Sequence, residues 1–446
     1  MNKKNGYNKI KINDLLYTDK KRTNKKKKNR NKSIKRKSDK SQKTNKLFLI
    51  RTTITILSLL IISFLIFRIV NKNKFKIFNR YKNSSYYNFF NTTEINEYIS
   101  ICQEGILLKK PKKSFFDIFK KIKITVIIPT YNSEKYLKPT IRSIQNQNLQ
   151  DFEILLIDDY STDNTKKLIN ELMKEDKRIK MIENKKNMGT LYSRSIGALN
   201  AKGEYIMTID HDDFFRKDIF RICYEEADNE DIDIIEFSAC DKRMRNKLSN
   251  NRCDFIDPYL SNYKKDGLII KQPELQNSVY IKKNNDFEII DQYLWGKCIR
   301  TKLYKKAIKK VGKEIIFNQN ICWCEDRIIN FALFQLANSF KFIKVFGIIH
   351  NFHHESVGFS FLKNQARIFH DELFNVMSIY NITKNTENSV YAAYEFKRIW
   401  NFYSIKGLSD ENRILAKNIF NKIINDKYIP EERKKNLIDI TSNKLS

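Results

Sequence analysis

From Lys121 onward, short runs of β-branched and apolar residues alternate with stretches whose apolar residues recur at helical spacing. Ile122–Ile128 is predicted to be a strand stopped by Pro129. Leu137, Ile141 and Ile144 form a helical face on which Pro139 marks a break or a fresh start. Phe152–Ile157 reads as a second buried strand and ends in Asp158-Asp159. A helix over Thr165–Lys177, a strand over Ile179–Ile182, a helix over Thr190–Asn200 and, after Gly203, a strand over Tyr205–Ile209 complete the series. This β-α-β-α-β-α-β order predicts an α/β fold with a mostly parallel sheet, right-handed crossovers and flanking helices. Ligands of such sheets sit beyond the carboxyl ends of the strands. Pro129–Asn132, Asp158–Asp163 and Asp210–Asp213 all fall on that rim. Further on, a helix is expected over Lys217–Ala227 and a strand over Asp233–Phe237. A mixed stretch runs to about Asn285, a helical block from Asp286 to Leu336, a strand over Phe340–His350, and four amphipathic helical patterns over 361–440.

The pattern ahead of Lys121 differs. Thr52–Phe67 carries no charge and is bracketed by Arg51 and Arg68. With its apolar flanks it extends to 47–70, long enough to cross a bilayer if the arginines reach the head groups. Apolar residues cover every face, which separates the run from an amphipathic core helix. Residues 1–46 hold 19 Lys/Arg against three Asp, about half of the chain's formal excess of +33, and should be disordered. The positive-inside rule puts that arm in the cytosol. The expected plan is a basic tail (1–46), a transmembrane signal anchor (47–70), a stem (71–120), an α/β domain (121–360, halves 121–215 and 216–360) and a helical C-terminal extension (361–446). That plan predicts a single-pass type II membrane protein, with the α/β domain lumenal (Golgi or ER) or, alternatively, facing the cytosol.

A basic arm alone could suggest a nucleic-acid partner, but no recognition motif follows it, and no nucleic acid is expected. Seven scattered cysteines give no disulfide framework, and Cys322-Trp323-Cys324 is too close-set for a usual zinc pair. Sequons at Asn83, Asn91 and Asn381 are weak pointers to sidedness in so Asn-rich a chain.

The chemistry concentrates at Asp210-His211-Asp212-Asp213. On an extended backbone Asp210 and Asp212 share a side, and convergent anions need a cation. A divalent metal clamped to a diphosphate suits them; a loop of solvated acids is the plainer alternative. His211 sits between the two acids, where it could perturb the site or point away.

Five pieces of sequence in order then resemble the family 2 glycosyltransferases, inverting enzymes of the Rossmann-like GT-A fold. They are Val126-Ile-Ile-Pro-Thr-Tyr-Asn132, Leu156-Ile-Asp-Asp-Tyr-Ser-Thr-Asp163, Asn187-Met-Gly189 with Arg194 and Gly197, Gly203-Glu-Tyr-Ile206, and Asp210-His-Asp-Asp213. Trp295-Gly-Lys297 and Cys324-Glu-Asp326 resemble the acceptor half more diffusely. No Gln-x-x-Arg-Trp element of a processive synthase occurs.

The resemblance implies a nucleoside site at Pro129, Tyr131, Asp158 and Asp159. Tyr131 as a turn aromatic and the Asp pair as a helix cap are the bland alternatives. It implies donor contacts at Gly189, Arg194 and Asp210, with Arg194 in a plain salt bridge as the alternative. Mn2+ or Mg2+ would sit on Asp210 and Asp212, with Asp213 adjoining. A catalytic base lies in Glu325-Asp326, with Asp326 favoured over helix capping, and burial beside Trp323 could raise its basicity. Lys297 is a candidate phosphate or acceptor contact, with a solvated lysine as the alternative, and His350, with His353 and His354, a candidate metal or diphosphate contact, with a polar strand end as the alternative. The implied activity is transfer of a sugar from a nucleotide-sugar, UDP-linked, to a hydroxyl on a glycan, protein or lipid. The alternative is a catalytically silent nucleotide-sugar-binding or interaction protein on the same fold.

Overall fold

In the computed structural model of the protein, the residues described are 92–108, 121–241, 255–256, 266–278, 280–283, 286–289, 293–317, 321, 325–351, 365–402 and 409–441. The basic arm, the expected anchor and most of the expected stem lie outside them. Among the described residues no helix is long and apolar enough to cross a membrane.

A helix α1 (Thr92–Gln103) precedes the α/β unit. Strands β1 (Ile124–Thr130), β2 (Phe152–Asp158), β3 (Ile179–Glu183) and β4 (Tyr205–Thr208) alternate with α2 (Leu137–Gln145), α3 (Thr165–Glu175) and α4 (Thr190–Asn200). They pair in parallel in the order β3-β2-β1-β4. Pro129 does not end β1. It pairs opposite Ile157, beyond the last β1–β4 pair, so its missing N–H interrupts no ladder there. Pro139 is the third residue of α2, within the first turn where backbone N–H groups have no helical partner.

The remaining elements are β5 (Phe214–Phe215), α5 (Ile219–Glu230), β6 (Ile234–Asp241), β7 (Phe255–Ile256), β8 (Ile269–Lys271), α6 (Glu274–Asn277), a hairpin of β9 (Tyr280–Lys283) and β10 (Asp286–Ile289), β11 (Lys297–Arg300), α7 (Thr301–Val311), α8 (Lys313–Ile316), α9 (Glu325–Leu336) and β12 (Ser339–His350). The sheet continues β4-β11-β6-β12-β5. Here the expectation of a mostly parallel sheet fails: β11 runs antiparallel to both neighbours and β5 antiparallel to β12, while β6 and β12 are parallel. The expected helical block from Asp286 is also corrected, since β10 and β11 occupy its start. Four-residue β11 carries one buried apolar pair, Cys298-Ile299, and neighbouring strands rather than local propensity set its conformation.

Alternation divides the sheet's side chains between two cores. Ile127, Leu155, Ile157 and Ile206 face α4, α7 and α9, whereas Val126, Ile128, Ile154, Leu156, Tyr205 and Met207 face α2, α3 and α5. The C-terminal helices α10 (Gln365–Thr383), α11 (Val390–Phe402), α12 (Asp410–Ile424) and α13 (Glu431–Thr441) match the four expected patterns. They join the first core, with Phe369, Leu373, Phe396 and Trp400 buried in it. Thr383 of the Asn381 sequon is buried in α10, its hydroxyl donating to the Ile379 carbonyl at 2.7 Å. Part of the expected stem is docked: Ile99 and Cys102 of α1 pack with Phe214, Phe346 and Ile349.

Candidate active site

Two turns on the rim of the parallel strands interlock. Asn132 and Tyr160 both adopt left-handed backbone, with φ of 48° and 69°. The Asn132 backbone N–H donates to Ser161 Oγ at 3.1 Å, and its side-chain oxygen accepts from the Thr162 N–H at 2.9 Å. Tyr131 is left 46 % exposed on that rim. Beneath it Asp158 is buried. Its Oδ2 accepts from the Ser161 N–H at 3.3 Å, while its Oδ1 has no hydrogen-bond partner.

Asp159, expected beside Asp158 as a nucleoside contact, is turned to another task. Its Oδ1 accepts from Asn184 Nδ2 and the Met188 N–H, each at 2.8 Å, and its Oδ2 from the Gly189 N–H at 2.7 Å. It thereby caps the entry to α4, where an anion is favoured. Gly189 takes φ +84°, and a Cβ there would stand 3.1 Å from the Ile321 carbonyl. The close approach expected of Gly189 is therefore to the chain itself.

Helix α4 lies tight on β1: a Cβ at Gly197 would meet Ile127 Cγ2 at 2.5 Å. Its Arg194 is 4 % exposed and is the hub of the site. Nη2 donates to Asp210 Oδ1 at 2.6 Å. Nη1 donates to Asp326 Oδ1 and, at 3.3 Å, to Glu325 Oε1. Of Asp210 and Asp212, the two acids for which a cation is expected, Arg194 meets Asp210, and it joins Asp326 and Glu325 to it. Asp326 Oδ2 accepts from the Leu294 N–H at 3.1 Å. Burial raises the Glu325 pKa to about 8, helped by the neighbouring Asp326 carboxylate; burial likewise raises that of Asp326 against the pull of Arg194. Burial would lift Asp210 as well, but Arg194 holds it below the ordinary carboxylate range.

The Asp-x-Asp-Asp segment is not extended. The chain turns, with the Asp213 N–H donating to the Asp210 carbonyl at 3.2 Å, so alternation does not set the side chains. Asp210 and Asp212 stay partly exposed, while Asp213 is buried. Asp213 Oδ1 accepts from the Asn351 N–H at 2.8 Å and faces His350 Nδ1 at 3.0 Å. The β5–β12 pairing brings those two ends together. Burial opposes the charged imidazole, yet Asp213, with Asp210 and Asp212 beyond it, pushes His350 up to about 9. His350 also stacks on Trp295, with centroids 6.0 Å apart and rings within 6° of parallel. Lys297, expected at a phosphate or acceptor, is instead buried in the sheet, with Nζ 2.5 Å from the Tyr293 carbonyl and 3.6 Å from Glu236 Oε2. Trp323, His353 and His354 lie outside the described residues.

Two participants escaped the sequence reading. The Tyr304 hydroxyl, on α7 and within electrostatic reach of Arg194, is buried with no hydrogen-bond partner. Arg327, next to Asp326, donates to Glu372 Oε2 at 3.0 Å. A pair of acids, Asp371-Glu372, inside an apolar helical pattern was the available signal for the second.

Residues 125–285 match the family described as Glycosyl transferase family 2. The chain is similar to the uncharacterized glycosyltransferase EpsJ of Bacillus subtilis (27 % identity, covering 49 % of this chain and 58 % of EpsJ). It is also similar to the GalNAc(5)-diNAcBac-PP-undecaprenol beta-1,3-glucosyltransferase of Campylobacter jejuni (40 % identity, covering 20 % of this chain and 30 % of that enzyme). The chain thus spans less than two thirds of these relatives. In fold, the chain is similar to S. aureus TarS 1-349, solved in complex with UDP-GlcNAc (TM-score 0.52, 17 % identity, covering 72 % of this chain and 88 % of that one). The architecture is GT-A-like, with a mixed sheet flanked by helices.

Proposed function

We propose that this protein is a metal-dependent inverting glycosyltransferase that moves a sugar from a UDP-linked donor to a hydroxyl on a glycan, protein or lipid. One observation carries the reading. Arg194 joins Asp210, from the strand-end rim, to Glu325 and Asp326, from the start of α9, so candidate donor and acceptor groups meet at one buried cation. The UDP-GlcNAc bound to TarS, which shares the fold, supports the choice of donor.

Among the described residues no group of three or more His, Cys, Asp or Glu side chains gathers as a ready-made metal site. Asp210 and Asp212 nevertheless suit Mg2+ or Mn2+, since such ions are often held by one or two carboxylates, with substrate phosphate and water completing the set. Held by Asp210 and Asp212, such an ion would supply positive charge to the diphosphate of the donor. The protein's own groups do the rest. Asp158 Oδ1 accepts from a nucleobase N–H, and Tyr131 offers a face to the base. His350, cationic through Asp213, adds positive charge beside the rim. Asp326 takes the proton of the acceptor hydroxyl while that oxygen bonds to the anomeric carbon from the face opposite the diphosphate. The bond to the diphosphate breaks with its electron pair on the leaving oxygen. We assign the apolar run 47–70 as a membrane anchor with the basic tail cytosolic and the catalytic unit on the lumenal side, on the strength of its charge asymmetry.

The test is a donor screen on the detergent-solubilised full chain, reading release of nucleoside diphosphate with and without added Mn2+ or Mg2+. Metal-dependent release from a UDP-sugar, lost in Asp212→Asn, is expected. Donor binding without release, from any nucleotide-sugar, would instead identify a silent binding protein.

A further inference from the structure

We propose that the C-terminal helices set the geometry of the catalytic turn, with Glu372 of α10 a positioning residue for Asp326 that acts through Arg327. This rests on the transferase reading above.

Glu325, Asp326 and Arg327 form the first turn of α9, and successive helical residues point about 100° apart around the axis. Arg194 grips the first two from the side of the sheet. Arg327 points elsewhere and donates through Nη1 to both oxygens of Glu372, at 3.2 Å and 3.0 Å. Glu372 in turn accepts from Nη2 of Arg398, on α11, at 2.7 Å. The Glu372 side chain is 1 % exposed. The turn is therefore held from two sides by ion pairs that together oppose both rotation about the helix axis and sliding along it.

Two arginines on one buried glutamate make a poor stabiliser, because desolvation of Glu372 offsets much of the attraction, and apolar residues of similar volume often serve as well. Their geometry is what apolar packing cannot reproduce. Phe369, Leu373, Phe396 and Trp400 already bury these helices against the core, so the charges are not needed to hold α10 and α11 in place. They direct the one turn that carries the candidate base.

The experiment compares three full-length proteins: wild type, Glu372→Gln, and the paired Arg327→Met/Glu372→Leu variant, which removes both charges of the pair together. Each is measured for kcat, donor KM, Tm and hydrogen exchange of the α9 amides. Glu372→Gln is expected to lower kcat by about 10- to 100-fold, the scale of a small displacement at a reacting group, with donor KM changed by less than about threefold. The paired variant should recover Tm but not kcat, and in both variants the first-turn amides of α9 should exchange faster. Recovery of kcat together with Tm in the paired variant overturns the proposal. So does failure of both variants to fold, which would make Glu372 a folding residue. An inactive wild type overturns the transferase reading, and this inference with it, whereas an active wild type with unaffected variants overturns this inference alone.

Discussion

Strands β3, β2, β1 and β4 all run one way, so their carboxyl ends fall on one rim and each polar cluster there is a contiguous stretch of chain. Strands β11, β6, β12 and β5 change direction, and the polar groups of that half arrive singly: Lys297 within a strand, Asp326 at a helix start, His350 at the end of a bent strand. In the parallel half, loops bind loops through hydrogen bonds from backbone N–H groups, to an amide oxygen as from Thr162 to Asn132, or to a carboxylate as from Gly189 to Asp159. Across to the mixed half, the links include ion pairs, Arg194 to Asp326 and His350 to Asp213. Regular topology lets local backbone groups satisfy the acids of a shared edge, whereas in the irregular half charged side chains from distant elements meet.

Arg194→Met strikes the link between the halves and should have the largest effect. It leaves Asp210, Glu325 and Asp326 around an uncompensated site and should cost about 3–5 kcal/mol in urea unfolding; a loss below about 1 kcal/mol would mean the halves are joined some other way. Gly203→Ala tests the tight parallel half, because the new Cβ would lie 2.5 Å from the Thr125 backbone nitrogen. A loss of about 1–3 kcal/mol is expected by the same assay, and a neutral result would show that β1 can shift.

Asp158→Asn should leave stability nearly unchanged, since Oδ1 has no hydrogen-bond partner among the described residues, yet weaken donor binding about tenfold by calorimetry. Unchanged affinity would move the base elsewhere. The smallest effect concerns pH. With its pKa raised from the ordinary 4.5 to about 8, Glu325 binds a proton in the folded state that the unfolded chain has lost. Its contribution is thus full below about 4.5 and fades as pH rises through about 8. Glu325→Gln should flatten the decline in Tm across that window, and an unaltered slope would remove Glu325 from the titrating set.

The same contrast explains what could be read from the chain. Residues 122–209 announce their strands because each is a run of apolar residues closed by a polar cluster, and α4 is read to the residue over Thr190–Asn200. β11 was not legible, since Lys297-Cys-Ile-Arg300 becomes a strand only between β4 and β6. Nor was the use of Asp159, whose neighbour Asp158 has the same chemistry and differs only in which way the backbone turns it. The cation need at Asp210 was legible as charge. Its satisfaction by Arg194 was not, because residues 194, 210 and 326 meet only after folding. The tie from Arg327 to Glu372 spans 45 positions, and the acid pair Asp371-Glu372 that hints at it does not name its partner.

The most direct measurement pairs donor binding with nucleoside diphosphate release in Asp326→Asn. Binding within about threefold of wild type, with release slowed by about 100-fold or more, is the expected result for a group that accepts the acceptor's proton. Release at the wild-type rate would contradict the assignment of the Arg194-centred cluster as the place where the sugar is transferred.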